Sequence, residues 1–259
     1  MSEEFGAFET GGWRVDILVQ GYPGKTLKHG GLGWSTVALL RGHGRIAVLD
    51  TGSFGARKVI VSALAALGVA PDEVTDLLLS HLHYDHVVNW PMFAQARIVV
   101  GAAELRWALA EPPGVSLVPE LYVEPLSRHA TLATVDEGDV VLPSVTALLA
   151  PGHTPGHLMF VVDGTSHDLL LVQDAAKYRA ELVTGRADMS YDPAVTAATI
   201  ARIWEIWRRK PGSVVLTGHD LPMVLQDGKP AFIGRRDAGI AAIFGDDVED
   251  RTIFDLSRA

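Results

Sequence analysis

Short apolar runs, each stopped by a polar or glycine-containing stretch, recur along the chain. Residues 13–19, 35–40, 45–49 and 75–79 read as strands, as do 97–100, 131–135, 145–149, 158–162 and 169–172. Leucine-rich and β-branched runs of this length, bounded by turn residues, suit buried or half-buried strands. The period changes over 56–67, where Val59, Ala63, Leu64 and Leu67 share a helical face and Gly68 follows as a stop. A second helix is expected over 102–109. A third opens at Asp192-Pro193, with aspartate as cap and proline at the first helical position. It carries Val195, Ile203, Ile206 and Trp207 towards the core and ends in Arg208-Arg209-Lys210 before Pro211-Gly212. Those cations suit the negative end of the helix dipole.

Two segments lack a period. The glycine-rich stretch from Gly21 to Gly33 reads as a mobile loop. From Glu111 to Arg128, four prolines break the pattern while Leu117, Leu121 and Tyr122 keep it apolar, which predicts a long functional loop. No linker divides the chain, so residues 1–259 are expected to form a single domain. Internal repetition is weak: Ile46-Ala47-Val48-Leu49-Asp50 and Leu169-Leu170-Leu171-Val172-Gln173-Asp174 are both apolar strands that end in aspartate. The order of elements predicts an α+β fold of two mostly antiparallel sheets packed face to face, with helices outside.

Composition narrows the function. Hydrophobic residues make up 48% and charged residues 20% of the chain, as expected of a globular protein with a well-filled core. A net charge of −9 argues against a nucleic-acid partner, which would call for a basic surface. No apolar run is long enough to span a membrane, and the acidic start, Met1-Ser2-Glu3-Glu4-Phe5, does not resemble a secretory signal. Cysteine is absent. Disulfides and thiolate ligands are therefore excluded, and a cytoplasmic location is expected.

Candidate chemistry collects where the apolar runs stop. Leu77-Leu78-Leu79 leads into Ser80-His81-Leu82-His83-Tyr84-Asp85-His86. Later come Pro151-Gly152-His153-Thr154-Pro155-Gly156-His157, then Asp174 after one leucine-rich strand and His219 after another, Val214-Val215-Leu216-Thr217-Gly218. His81 and His83 alternate along an extended segment, so their rings can point the same way. Two metal sites are expected: His81, His83 and His153 around one ion, and Asp85, His86 and His219 around the other. Asp174 has one oxygen for each. Open coordination of this kind marks a catalytic site, since structural zinc sites are closed. Two zinc ions are expected, and iron, manganese or cobalt would also suit the donors. His157 is assigned to holding the Pro151–Gly156 turn or orienting a ligand. His29, His43, His129 and His167 read as ordinary surface or loop histidines, with His29 on a loop able to reach the site.

Together, Asp50-Thr51-Gly52, the His-x-His-x-Asp-His run at 81–86, Gly-His-Thr-Pro-Gly-His at 152–157, Asp174 and His219 resemble the metallo-β-lactamase superfamily over residues 13–220. The resemblance implies a four-layer αββα sandwich with two metal ions at one edge between the sheets. It also implies that Asp50 steadies a ligand histidine; on sequence alone Asp50 reads equally as a turn-starting aspartate. Secreted β-lactamases, thioesterases with an added helical region, RNA-processing members and flavodiiron oxidases each lack a match in leader, length, basic surface or ligands. The pattern is closest to the quorum-quenching (N-acyl homoserine) lactonases. Those enzymes place a substrate-facing tyrosine shortly after the bridging aspartate. Here Tyr178 stands one position later than that spacing, so Tyr178, Lys177 or neither faces the substrate.

The resulting expectation is a hydrolase in which a hydroxide bridging two zinc ions opens a lactone or related ester. Asp85 would pass a proton to the leaving alkoxide, Tyr178 would touch the substrate, and Trp34, Trp107, Leu117 and Tyr122 would line an apolar pocket. The alternatives are another hydrolase of this superfamily (thioesterase, β-lactamase or phosphodiesterase) or a non-catalytic metal-binding ligand sensor. The expected partner is a small ester or lactone. A homodimer is compatible with this reading, and the oligomeric state stays open.

Overall fold

The computed structural model describes residues 7–28 and 30–257; His29 lies outside them. Among the described residues the strands form two seven-stranded sheets and one separate two-stranded ribbon. The first sheet contains β1 (Phe8–Thr10), β2 (Trp13–Val19), β3 (Val37–Gly42), β4 (Arg45–Leu49), β5 (Asp76–Leu78), β6 (Arg97–Gly101) and β7 (Leu132–Val135). The second contains β8 (Val140–Leu142), β9 (Val145–Leu149), β10 (Leu158–Val162), β11 (Leu169–Gln173), β12 (Val214–Thr217), β13 (Met223–Gln226) and β14 (Lys229–Phe232). Spatial order follows chain order within each sheet. The ribbon pairs β15 (Gly239–Ile243) with β16 (Arg251–Asp255).

Alternation along the strands produces four layers. On β11, Leu169 and Leu171 face the other sheet, while Leu170 and Val172 face helices. On β4, Ala47 and Leu49 point inward and Val48 outward. Strands covered on both faces must be apolar throughout, which explains the unbroken leucine and valine runs. The inter-sheet core joins Trp13, Leu40, Leu49 and Val99 to Val145, Phe160, Leu171 and Leu216. Helices α1 (Arg57–Ala66), α2 (Tyr84–Val87), α3 (Ala102–Ala110) and α4 (Glu120–Ser127) belong to the first half, and α5 (Arg179–Thr184) and α6 (Pro193–Trp207) to the second. Asp192 caps α6 by accepting from the N–H groups of Ala194 and Val195, both at 3.0 Å.

Several expectations need correction. The first sheet is mixed, because β4–β5, β5–β6 and β6–β7 all pair in parallel. Each of those pairs is joined by a connection that contains helix, the usual way of returning the chain to the same edge. The 111–128 segment contains α4, despite Pro125 within it. Val123 and Leu126 pack into the core beneath it, and that burial offsets the proline's missing N–H. Val59 and Val195 are exposed; the buried faces use Ile60 and Leu64 on α1, and Ile200, Ile203, Ile206 and Trp207 on α6. The glycine-rich loop folds back on itself through bridges between Tyr22 and Trp34 and between Lys25 and Gly31.

Phe160 is fully buried between the sheets. Replacing it with alanine should cost about 3–5 kcal/mol, the usual loss for a buried aromatic. Chemical denaturation would check this, and a loss below about 1 kcal/mol would place Phe160 outside the structural core.

Candidate metal centre

Topology brings the polar residues to one edge. The parallel pairs β4–β5 and β11–β12 end there, and Asp50, Ser80-His81, Asp174 and Gly218-His219 come directly after these strands. The turn from β9 to β10 supplies His153 and His157 at the same edge. Backbone bonds stitch the sheets beside it: Leu158 N–H donates to Ser80 O at 2.8 Å, and Thr36 Oγ1 donates to Thr217 O at 2.8 Å. Gly218 is demanded by proximity, since a Cβ there would lie 1.8 Å from Asp174 Oδ1.

The structure gathers all seven candidate donors. His81, His83 and His153 form one group, Asp85, His86 and His219 another, and His81, His86 and Asp174 a third that joins them; within each group the donor atoms lie within 4.8 Å of one another. Asp174 stands between the two outer groups. Its Oδ1 is 3.4 Å from both His86 Nε2 and His219 Nε2, and its Oδ2 is 3.3 Å from His153 Nε2. Asp85 Oδ2 is 3.5 Å from His219 Nε2.

Neighbours aim these donors. Asp50 is fully buried and accepts from Ser80 N–H at 2.8 Å, Ser80 Oγ at 2.7 Å and Gln173 Nε2 at 2.6 Å. It also meets His86 Nδ1 at 2.7 Å, which leaves Nε2 of that ring facing Asp174. Ser80 Oγ lies 3.0 Å from His81 Nδ1. A carboxylate or hydroxyl on one ring nitrogen fixes which nitrogen is left free for a metal.

Electrostatics divide the cluster. Burial holds His81 and His153 well below the ordinary histidine range and lowers His83 to about 4, so these rings are neutral and offer lone pairs. Burial also opposes charge on His86 and His219, but Asp174 outweighs it at both, aided by Asp85. His86 is pushed up to about 10, with Asp50 contributing, and His219 is raised. Burial opposes ionisation of Asp174 as well, yet His219, His86 and His153 hold it well below the usual carboxylate range. The field around Asp174 therefore favours positive charge. The donors fit a metal ion: His81 Nε2, His86 Nε2 and Asp174 Oδ1 are buried without a hydrogen-bond partner among the described residues, and such groups are rare unless something else answers them.

The other candidate residues divide between the centre and local structure. His157 is fully buried and stacks on His81 with ring centroids 4.8 Å apart, but neither of its nitrogens bonds to the turn. His43, His129 and His167 are spent on local contacts with Gly11 O, Thr131 and Ser166. A cavity beside the cluster is bordered by Tyr22, Tyr84, Leu117, Lys177, Tyr178 and Met189. Of the four expected lining residues only Leu117 borders it. Trp34 stacks behind Tyr22, Trp107 packs edge-on to His83, and Tyr122 lies against Phe54. The Tyr178 hydroxyl donates to Asp188 Oδ2 at 3.4 Å, and Asp188 also pairs with Lys25.

Sequence reading missed Glu104 in the first turn of α3. This fully buried carboxylate accepts from Leu82 N–H at 2.9 Å, Thr154 Oγ1 at 2.8 Å and Gly156 N–H at 3.1 Å. It thereby ties the 81–86 segment to the 152–157 turn. Gly156 permits the approach, since a Cβ there would lie 2.0 Å from Glu104 N. The one available signal was a lone carboxylate just after a buried strand.

The chain belongs to the metallo-beta-lactamase superfamily, whose family model matches residues 30–219. It is 29% identical over 164 residues to the N-acyl homoserine lactonase AiiA of Bacillus thuringiensis subsp. kurstaki, a match covering 62% of each chain. The chain thus spans a little under two thirds of the length of this curated relative. Among solved structures it is similar to AidC, described as a dizinc quorum-quenching lactonase in complex with a product, with a TM-score of 0.70 and 16% identity over 90% of this chain and 98% of that one. It is also similar to a quorum-quenching N-acyl homoserine lactone lactonase, with a TM-score of 0.64 and 22% identity over 85% of this chain and 94% of that one. These likenesses establish the αββα metallo-beta-lactamase fold.

Two measurements test how the centre is held. Asp50→Asn should weaken metal binding roughly 10–100-fold, the usual cost of losing a group that orients a ligand. Competition with a chelating dye reads this directly, and unchanged affinity would remove Asp50 from that role. The second concerns Glu104, whose carboxyl burial pushes from 4.5 up to about 7. The native state therefore binds more protons than the unfolded state in that window, and stability falls as pH rises through it. In metal-free protein the stability of the wild type relative to Glu104→Gln should drop between about pH 4.5 and 7 by on the order of 3 kcal/mol. A pH-independent difference would show that Glu104 does not titrate there.

Proposed function

We propose that the protein is a metal-dependent hydrolase that opens a lactone or a related carboxylic ester, with residues 1–259 working as one domain in the cytoplasm. The observation that carries this reading is Asp174, placed with one oxygen towards His153 and the other towards His86 and His219. His81, His83 and His153 would hold one zinc ion, Asp85, His86 and His219 a second, and Asp174 would bridge them. When bound, two such ions lower the pKa of a shared water and polarise an ester carbonyl.

The residues of the chain then have separate tasks. Asp50 and Ser80 keep the His86 and His81 rings turned towards the centre. Asp85 sits at the cavity wall beside His219 and would hand a proton to the departing alkoxide. Tyr22, Tyr84, Leu117 and Met189 give the cavity an apolar wall for an acyl or ring group. Tyr178 borders the rim. A net charge of −9 disfavours approach by strongly anionic polymers and leaves a neutral ester unhindered. The likeness to proteins described as N-acyl homoserine lactonases supports the same choice.

Elemental analysis of protein purified without chelator should find about two metal equivalents per chain, as the two donor groups require. Chelation should abolish turnover, and added zinc should restore it. A panel of lactones, simple esters, thioesters and phosphodiesters would then fix the class. Metal content that stays near zero after zinc is added would remove the metal reading. Efficient turnover of a phosphodiester or thioester with every lactone untouched would remove the lactone reading and leave a metal-dependent hydrolase.

A further inference from the structure

The last two strands stand apart from the two sheets. β15 and β16 pair with each other alone, and no described residue after Ile233 enters the buried clusters between the sheets or beneath the helices. The base of the ribbon is nonetheless held. Arg236 pairs with buried Asp220, Asp237 N–H donates to Gln20 Oε1 at 3.1 Å, and Gln20 Nε2 donates to Arg235 O at 3.1 Å. The ribbon thus starts from a fixed point, yet Ile243, Phe244, Ile253 and Phe254 are all exposed. A lone two-stranded ribbon is marginal in water, and neighbouring apolar side chains left uncovered mark a contact surface.

The outer edge of β16 has no strand beside it among the described residues. Leu256 N–H donates to Ala238 O at 2.9 Å, one step beyond the Gly239–Asp255 pair. Bonded and non-bonded pairs alternate along an antiparallel ladder. Thr252 and Phe254 therefore bond to β15, while the N–H and C=O groups of Arg251 and Ile253 turn to the outer edge. Such an edge is a template for another strand.

The sequence of β16, Arg251-Thr252-Ile253-Phe254-Asp255, selects its own copy. Laid antiparallel to itself about Ile253, it sets Arg251 against Asp255, Thr252 against Phe254, and Ile253 against Ile253. Opposite charges at both ends and an apolar centre are what cross-strand pairing favours. A two-residue slip towards the turn would instead set Arg251 against Ile253 and Asp255 against Glu249, a pair of carboxylates. Contacts of Arg251 with Glu249 at 3.9 Å and of Asp255 with Ser257 N–H at 2.8 Å are local and exposed, so they cost little to rearrange. The turn itself carries Asp246, Asp247, Glu249 and Asp250, which repel the anionic surface of a membrane.

We propose that β16 is the contact strand of a symmetric homodimer, in which two ribbons join edge to edge into one four-stranded sheet with Ile253 on the two-fold axis. Four strands satisfy what two do not, and the Ile253 side chains cover each other. A contact of this size falls at the low end of stable interfaces, so the dimer should dissociate in the micromolar range.

Sedimentation velocity of the full chain over a dilution series tests this. The wild type should pass from dimer to monomer on dilution. Ile253→Lys should be monomeric throughout with an unchanged circular dichroism spectrum, because it places two ammonium groups together at the axis while altering a side chain 66% exposed in the single chain. Arg251→Asp and Asp255→Arg should each weaken the dimer about tenfold or more, since each turns both end pairs into like charges. An equimolar mixture of those two variants should regain wild-type affinity, and so should the doubly exchanged chain Arg251→Asp/Asp255→Arg. A wild type that stays monomeric up to about 1 mM overturns the assignment, as does a dimer untouched by Ile253→Lys or single charge variants that do not recover on mixing. Binding of monomeric wild type to phosphatidylcholine vesicles, lost in Ile253→Lys, would give the ribbon to a lipid surface and equally overturn it.

Discussion

The buried carboxylate of Asp50 is the constraint around which the site is organised. It sits at the end of β4 with φ 54°, a backbone conformation uncommon for any residue but glycine. A carboxylate removed from water must be answered by donors, and each donor here comes from a different part of the fold. Ser80 answers from the end of β5, His86 from α2, and Gln173 from the end of β11 in the other sheet. Satisfying one side chain therefore fixes the relative positions of two sheets and of a ligand ring. Gln173 bears its own share of the strain, at φ 45° beside a shift in the β11–β12 register. Strained backbone of this kind persists only where surrounding contacts over-determine it.

Glu104 plays the matching part on the other flank. Asp50 reaches across to His86, while Glu104 holds the backbone on which His81, His83 and His153 are mounted. Between them the two carboxylates brace most of the donor cluster from behind. The cavity side is built differently, from aromatic and aliphatic side chains that include Tyr22, Tyr84, Leu117 and Met189, together with the buried ion pair of Lys177 and Glu181. Rigidity thus resides in the strand ends.

The layers of the fold and the grouping of donors were legible because burial on both faces forces unbroken apolar runs, and because the polar residues stand where those runs stop. Asp174 was expected to offer one oxygen to each donor group, and the structure sets it between the two histidine groups. Pairing direction was not legible. Parallel and antiparallel strands of this length share one pattern, and only the connections distinguish them. Helix α4 was hidden by Pro125, whose cost is local, whereas the burial of Val123 and Leu126 depends on tertiary contacts. The ribbon of β15 and β16 was missed for a related reason: both strands are largely exposed, so no buried face marks them in the sequence. Glu104 went unread because one carboxylate in a helix looks like any solvated residue until its burial is known.

Each seven-stranded sheet is built from one continuous half of the chain, the first ending with β7 at Val135 and the second starting with β8 at Val140. Either sheet can complete its hydrogen-bond ladder without the other, and each half brings its own helices. The donors divide along the same line: His81, His83, Asp85 and His86 come from the first half, and His153, Asp174 and His219 from the second. The centre therefore has no existence in either half alone. It comes into being only when the two sheets close on their shared core. An ion bound there acts as a clasp across the seam, favouring the assembled chain over any state in which one sheet has formed and the other has not.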